Sequence, residues 1–404
     1  MRDLEAYKTL SKGDYQEFAG PDWPTYEQFV EHKDIPDLVY NEIDNFLKSY
    51  TKFVNPAFCV LPFYGFEYPQ NTPCCLMKPH NITQVRQRML DGIRPVACDA
   101  CWKLEDIGIP SDRQLKNNML DYYTDRDISK LYQQAKDGKN SIVSYKIDTS
   151  AICNATCVTC GPSLSSAWQQ LKRKNKKAVF NIKQSMDEST VAKLINYNTA
   201  VSINFRGGEP LLSKTNFVVL EQLIKHNNTD CFVSFTTNGS IRPDDYQLSL
   251  LKQFKNLDFN FSIDGVGKVF EYMRYPLTWH KLLENIDFCK QYHIPISVSY
   301  TISNLNILYH RETTQWFKDH NINYINNIVV TPRHFRPGAL PQQIKLKIIE
   351  LTQSQEIGNF LKNHASTDIQ DYNRLLAAIR EQDSWKGISI TDYLPDFVAI
   401  SNYT

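Results

Sequence analysis

From Ser141 to about Val330, strand-like apolar runs alternate with helix-like ones. The strand-like runs are Ser144–Thr149, Ala200–Phe205, Cys231–Thr236, Asp258–Ile263, Ile296–Thr301 and Tyr324–Val330. Helix-like runs fall between them, at Ser163–Lys174, Phe217–His226, Tyr246–Phe254, Trp279–Tyr292 and Ile307–His320. Strand and helix in regular succession predict an α/β fold with a parallel sheet and crossover helices. In such folds ligands gather at the carboxyl ends of the strands, so the residues just after each strand carry the chemistry.

Outside this region the pattern changes. Ile35–Tyr50 predicts a helix, with Pro36 in its first turn and Leu38, Val39, Ile43, Phe46 and Leu47 on one side. From Asn55 an aromatic, strand-like stretch leads to a turn through Pro69, Asn71 and Pro73, then a helix-like run at Ile82–Asp91. Asp121–Asn140 is polar and helix-like and reads as a connector with a solvated face. Past Val330 comes a basic loop, Thr331–Pro341, and then helix-like runs at Ile344–Leu361 and Ile369–Gln382. The expected organisation is an N-terminal extension (1–54), a small cysteine-rich α+β module (55–120), the connector (121–140), the α/β region (141–335) and a C-terminal helical extension (336–404).

Composition adds little until the cysteines are counted. At 404 residues, with 42% hydrophobic and 22% charged, the chain has an ordinary globular balance. A net charge of +1 gives no global attraction to nucleic acid or an acidic membrane. The start, MRDLEAYKTL, lacks an apolar signal-peptide core, and no run approaches the roughly 20 apolar residues that span a bilayer. A cytoplasmic protein is therefore expected, and in a reducing compartment ten cysteines point to metal or redox work. Eight of the ten lie between Cys59 and Cys160, a clustering that core packing does not explain. Cys231 and Cys289 sit in strand and helix runs and read as buried apolar thiols.

After the first predicted strand comes IDTSAICNATCVTCG, with Cys153, Cys157 and Cys160 in a Cys-x3-Cys-x2-Cys spacing. Three thiols this close on a loop cannot all pair as disulfides, but they can converge on one soft metal centre. A cubane cluster has four irons, so three cysteines leave one open for a small molecule to chelate. A zinc loop is the alternative. Upstream, Cys59, the pair Cys74-Cys75, and Cys98 and Cys101 in CDACW offer a second set of thiols, open to zinc or to an iron–sulfur cluster.

The triplet resembles the cluster loop of the radical S-adenosylmethionine (radical SAM) enzymes. That resemblance implies a partial (β/α)6 barrel. It implies a 4Fe-4S cluster on Cys153, Cys157 and Cys160, whose open iron takes the amino and carboxylate groups of SAM. Reductive cleavage to a 5′-deoxyadenosyl radical would follow, with hydrogen abstraction from a substrate. Arg206-Gly207-Gly208-Glu209-Pro210, after the second strand, resembles the family's GGEP motif, which contacts the amino group of SAM's methionine and implies that role for Glu209. Thr236-Thr237-Asn238-Gly239 after the third strand and Ser262-Ile263-Asp264-Gly265 after the fourth resemble further SAM-lining elements. On this basis Gly207, Gly208, Glu209, Pro210, Thr236, Asn238, Ser262 and Asp264 are expected to form the SAM site. Arg274 matches an arginine that pairs with the SAM carboxylate, and Asn304 and Asn306 are further polar candidates at the barrel mouth.

The segment around Pro73-Cys74-Cys75, Asn81-Ile82, Cys98-x2-Cys101, Glu105, Gly108 and Arg113 resembles the twitch, or truncated SPASM, module, which holds one auxiliary iron–sulfur cluster. The resemblance implies Cys59, Cys74, Cys98 and Cys101 as its ligands, with Cys75 as the alternative to Cys74. It implies as substrate a peptide or protein side chain, or else a small molecule such as a carbohydrate or nucleotide. An electron donor such as flavodoxin or ferredoxin is implied too. A non-catalytic metal-binding adaptor is the reading from a different class. The run Lys172–Lys177 reads as a solvated cationic helix end rather than an anion site.

Overall fold

A computed structural model describes residues 55–404, apart from 75, 79, 107–110, 125–127, 180–187, 330, 364–368, 402 and 404. The expected helix at Ile35–Tyr50, Cys75 and Gly108 lie outside the described residues. The chain divides into two compact units, Met1–Ser144 and Tyr145–Thr404.

In the first unit a short helix α1 (Leu61–Tyr64) runs into β1 (Gly65–Tyr68), where an aromatic strand was expected throughout. Four helices follow: α2 (Ile82–Leu90), α3 (Asp99–Glu105), α4 (Asp112–Thr124) and α5 (Ile128–Lys136). Asn81 caps α2, its side chain accepting from the N–H groups of Thr83 and Gln84 at the exposed first turn. The core is aromatic. Phe58 meets Phe63 and Tyr132 at ring-centroid separations of 5.3 and 5.2 Å, and the buried Tyr64 hydroxyl donates to the Leu131 carbonyl.

Strand β2 (Ser144–Ser150) leads into the second unit, followed by β3 (Ser202–Gly207), β4 (Phe232–Thr237), β5 (Leu257–Ser262), β6 (Ile296–Ile302) and β7 (Asn323–Ile328). These six neighbour one another in sequence order, and the order ends at β7 without returning to β2. Pairing from β3 through β7 is parallel, with Phe205 opposite Phe235 and Phe261 opposite Val298. Crossovers run through α6 (Ser166–Lys174) and α7 (Glu188–Leu194), then α8 (Lys214–Lys225), α9 (Asp245–Leu251), α10 (Lys268–Met273), α11 (Trp279–Gln291) and α12 (His310–Asp319). This is a partial (β/α) barrel. The C-terminal helices are α13 (Gln342–Thr352), α14 (Gln355–Asn363), α15 (Ile369–Lys386), α16 (Ile390–Tyr393) and α17 (Pro395–Ser401).

The two faces of the sheet differ because side chains alternate along a strand. Ile203, Phe205, Val233, Phe235, Phe259, Phe261 and Val298 are 0–2% exposed. Phe217 of α8 stacks on Phe235, and Phe317 of α12 meets Tyr300 and Tyr324, so this face is covered by helices. Burying each phenylalanine contributes roughly 1.5–3 kcal/mol. On the other face stand Asp148, Asn204, Arg206, Thr236, Asp258, Asn260, Ser262, Ser297, Ser299 and Thr301, all half-buried. Parallel sheets normally bury both faces in apolar packing; this one keeps a polar, half-buried inner face. Among the described residues, no helix is long and apolar enough to cross a membrane.

Candidate functional site

The loop after β2 is fixed by its own neighbours. Ser166 Oγ accepts from the Cys153 N–H at 3.0 Å and donates to its carbonyl at 3.1 Å. Ser165 Oγ donates to the Ala155 carbonyl, and Trp168 Nε1 donates to the Cys157 carbonyl at 3.0 Å, so the start of α6 grips the loop from below. On the other side the N–H groups of Thr156 and Val158 donate to the carbonyls of Tyr275 and Met273 at 2.7 and 2.9 Å.

The thiols of Cys153, Cys157 and Cys160 feel one another. Burial first, and the neighbouring thiols next, push Cys153 up to about 11 and Cys160 up to about 12. Burial also raises Cys157, while the Arg274 guanidinium opposes it. By contrast, burial alone pushes Cys231 up to about 12, and burial, opposed by Arg242, pushes Cys289 up to about 12. Three thiols that repel when ionised, Cys157 buried and Cys153 and Cys160 half-buried, suit a cationic iron centre, which relieves both penalties at once.

Strand β3 delivers Gly207 and Gly208 against this loop. A β-carbon on Gly207 would collide with the Ser150 carbonyl oxygen, and one on Gly208 with the Ile152 carbonyl. The N–H groups of Gly208 and Glu209 donate to Ser150 and Ile152 carbonyls, both at 2.7 Å. The paired glycines thus admit the close approach of the chain's own backbone. Pro210 opens a short helical turn that Glu209 caps, and Asn216 Nδ2 holds the Pro210 carbonyl at 2.8 Å.

Glu209 is fully buried beside Cys153. Its Oε1 accepts from the Thr237 hydroxyl at 2.8 Å and from the Leu211 N–H at 3.2 Å, and its Oε2 from the Asn238 N–H at 2.8 Å. Burial nevertheless pushes its carboxyl up to about 7, the Asn238 and Thr237 donors acting against it. The expected Thr236 points the other way and bonds Asn204; its neighbour Thr237 does the work. Asn238 Nδ2 donates to Asn154 Oδ1 at 2.9 Å and stands 3.9 Å from Cys153 Sγ. Asn154, which sequence reasoning passed over, also donates to Ser240 Oγ at 2.8 Å.

Arg274 Nη1 lies 3.9 Å from Cys157 Sγ, and Nε lies 2.8 Å from Asp264 Oδ2. That second contact is an ion pair with a poorly aligned N–H rather than a good hydrogen bond. Burial lowers the guanidinium, but Asp264 and the Cys157 sulfur outweigh it and leave Arg274 more firmly charged. Asp264 Oδ1 accepts from the Thr301 N–H, and Asn306 Nδ2 from its side holds the Asp264 carbonyl at 2.8 Å. Asn306 is a fully buried support of these turns, Asn304 is fully buried and donates to the His334 carbonyl at 2.7 Å, and Ser262 ends β5 half-buried on the polar face.

In the first unit, Cys59, Cys74, Cys98 and Cys101 line one cavity, with Met77, Met89 and Arg113. Burial raises the thiols of Cys59 and Cys101 and pushes Cys98 up to about 12, with Cys101 repelling both Cys59 and Cys98. Arg113 organises the walls. It pairs with Glu105 through Nη2–Oε2 at 2.6 Å and Nε–Oε1 at 2.9 Å, and donates from Nη1 to the Phe58 carbonyl at 2.8 Å. Asn117 Oδ1 accepts from the Val60 N–H, so both neighbours of Cys59 are pinned. Among the described residues, no group of three His, Cys, Asp or Glu is set to hold a single metal ion. Cluster cysteines each bind a different iron and stand further apart than ligands of one ion. Four thiols around one cavity fit that wider body.

Residues 147–332 match the family model described as the radical SAM superfamily. This part of the chain is a radical SAM domain, flanked by an N-terminal α+β region and a C-terminal helical region. Among solved structures the chain is similar to native anSMEcpe with bound AdoMet, 21% identical over 55% of this chain and 62% of that one, with a TM-score of 0.39. It is also similar to Streptococcus suis SuiB bound to S-adenosylmethionine, 10% identical over 71% of this chain and 64% of that one, with a TM-score of 0.39. The chain thus spans under two thirds of the length of each. No curated protein matches it.

Proposed function

We propose that the protein is a radical SAM enzyme. The observation that carries this reading is the convergence of Cys153, Cys157, Glu209, Asn238 and Arg274 at the ends of the first four strands of the barrel. Cys153, Cys157 and Cys160 would hold a 4Fe-4S cluster which, when bound with SAM and reduced, supplies a 5′-deoxyadenosyl radical. Glu209 would accept from the SAM amino group, and its three protein donors fix where its carboxylate sits. Gly207, Gly208 and Pro210 hold Glu209 to the cysteine loop, and Asn238 ties the third strand end to it. Arg274 brings positive charge for the SAM carboxylate and for Cys157, and Asp264 orients it. Ser262 and Thr236 line the inner face on which SAM and substrate would lie.

Cys59, Cys74, Cys98 and Cys101 would hold an auxiliary cluster in a module at 55–120. The substrate we assign is a peptide or protein side chain, following the twitch-like cysteine pattern, with a flavodoxin or ferredoxin as electron donor. A polar small molecule such as a carbohydrate is the second reading. The mutually bonded Asp258, Ser297, Asn260 and Ser299 on the inner face favour it.

Anaerobic reconstitution with iron and sulfide, then SAM and dithionite, tests the activity. The wild type is expected to release 5′-deoxyadenosine, and the Cys153→Ala/Cys157→Ala/Cys160→Ala variant to release none. Zinc without sulfide, and no 5′-deoxyadenosine, would establish the metal-binding adaptor instead. Deuterium carried from a labelled peptide or sugar into 5′-deoxyadenosine decides between the substrates.

A further inference from the structure

Helix α15 carries a buried cation to the loop that holds the thiol triplet. Lys386, its last residue, is only 8% exposed. Its ammonium donates to Gln382 Oε1 at 2.9 Å and lies over two rings, Trp168 at 5.0 Å and Tyr275 at 5.7 Å. Both rings belong to residues that grip the loop, Trp168 through the Cys157 carbonyl and Tyr275 through the Thr156 N–H. Gln382 Nε2 donates to the Val158 carbonyl at 3.2 Å, so the same helix touches the loop a third time. The ammonium interacts electrostatically with the Cys157 sulfur.

The hydrogen-bond partner of this cation is a neutral amide. Asp383 also interacts electrostatically with this ammonium, and its side chain accepts from the Tyr272 hydroxyl at 2.9 Å and the Ile390 N–H at 2.7 Å. Asp264, the other acid at Cys157, is taken by Arg274. A lysine ordinarily carries its charge out to water, and burying an ammonium whose hydrogen-bond partner is a neutral amide is costly. A centre that brings negative charge to Cys157 adds a second counter-charge to that of Asp383.

We infer that Lys386 is a positioning residue that sets the reduction potential of the cluster held by Cys153, Cys157 and Cys160. Its fixed positive charge favours the reduced, more negative state, in a setting too dry to screen it. The electron itself comes from an external donor, and Lys386 neither gives nor takes it. The inference rests on the cluster reading above.

The test uses full-length wild type, Lys386→Met, Lys386→Gln, Lys386→Arg and Asp383→Asn. Each is reconstituted with iron and sulfide, checked by circular dichroism and iron and sulfide content, and titrated potentiometrically with dithionite. The EPR signal that changes on adding SAM is followed. At the potential where the wild type is half reduced, Lys386→Met and Lys386→Gln are expected to hold about tenfold less reduced cluster relative to oxidised, or ~59 mV for a one-electron couple. Lys386→Arg keeps the wild-type ratio, and Asp383→Asn, which removes a negative charge and leaves the lysine, moves it the opposite way. Neutral variants that titrate with the wild type, or an arginine variant that falls with them, overturn the inference. If the neutral variants do not load a cluster, Asp383→Asn decides, and the absence of a rise counts against it. A wild type with no SAM-responsive signal overturns the cluster reading instead.

Discussion

The carbonyl of Ile152 occupies the space where a β-carbon on Gly208 would stand. Two strands' ends meet there, and the contact is backbone on backbone, so no side chain can swing aside. Gly208→Ala must therefore push the cysteine loop away from β3. Overpacking of this kind costs about 1–3 kcal/mol, and the loop that moves is the one holding Cys153. The expected outcome is a lower melting temperature together with iron and sulfide content reduced by one cluster's worth. Gly161→Ala, with open space around it, leaves both unchanged.

Glu209 gives the site a pH dependence with a definite sign. An unfolded glutamate titrates near ~4.3, whereas burial holds this one at about 7. Between those values the folded state keeps a proton that the unfolded state has lost. Stability of the cluster-free protein therefore falls as pH rises from about 4.3 towards about 7, and is flat above it. SAM affinity runs the other way, because the ionised carboxylate is the stronger acceptor for the SAM amino group. Isothermal titration of the reconstituted protein should show SAM binding tightening as pH rises through about 7. Glu209→Gln abolishes that dependence and weakens binding about 10–100-fold, as loss of a hydrogen bond to a charged group implies.

The Arg113–Glu105 pair is nearly dry, with side-chain exposures of 10% and 8%. Removing one partner leaves the other as a buried, unpaired charge, at a cost of about 3–5 kcal/mol. Arg113→Met should therefore lower the unfolding free energy by that amount in urea titration. Arg113→Met/Glu105→Leu, which removes both charges, should recover most of it. The exposed pair Lys255–Asp230 is the control, and Lys255→Ala is expected to change stability by less than about 1 kcal/mol.

The two sets of thiols are predicted to load independently. Cys98→Ala/Cys101→Ala should lower iron and sulfide by one cluster's worth and leave the SAM-dependent spectral change in place. Loss of that change as well would show that the assignments of the two sets are wrong.

Much of the barrel was legible because its strands announce themselves. Phe259, Phe261 and Val298 are apolar at every second position, and the turn residues follow where each strand must stop. The cysteine spacing and the Gly-Gly-Glu-Pro block were legible for a chemical reason, since few other residues do those jobs. What escaped was long-range or ambiguous by neighbour. Thr236 and Thr237 are identical in sequence, and only the phase of the strand shows that Thr237 faces Glu209. Asn154 meets Asn238 across 84 positions, which no local pattern encodes. The predicted helix Ile344–Leu361 is two helices, broken at Gln353 with φ of 49° and no glycine or proline to mark it. The last long helix was expected to end at Gln382 but runs on to Lys386, with Gly387 at φ of 68° as its stop. Those four extra residues bring the buried lysine to the site.

The claim on which all of this depends is an iron–sulfur cluster on Cys153, Cys157 and Cys160 with one iron open to SAM. Mössbauer spectroscopy of the iron-57-reconstituted protein, recorded with and without SAM, tests it most directly. The account predicts that one iron changes its signal when SAM is added, and that the change disappears in Cys153→Ala/Cys157→Ala/Cys160→Ala. A spectrum that SAM leaves untouched, or a chain that takes up zinc and no sulfide, would contradict it.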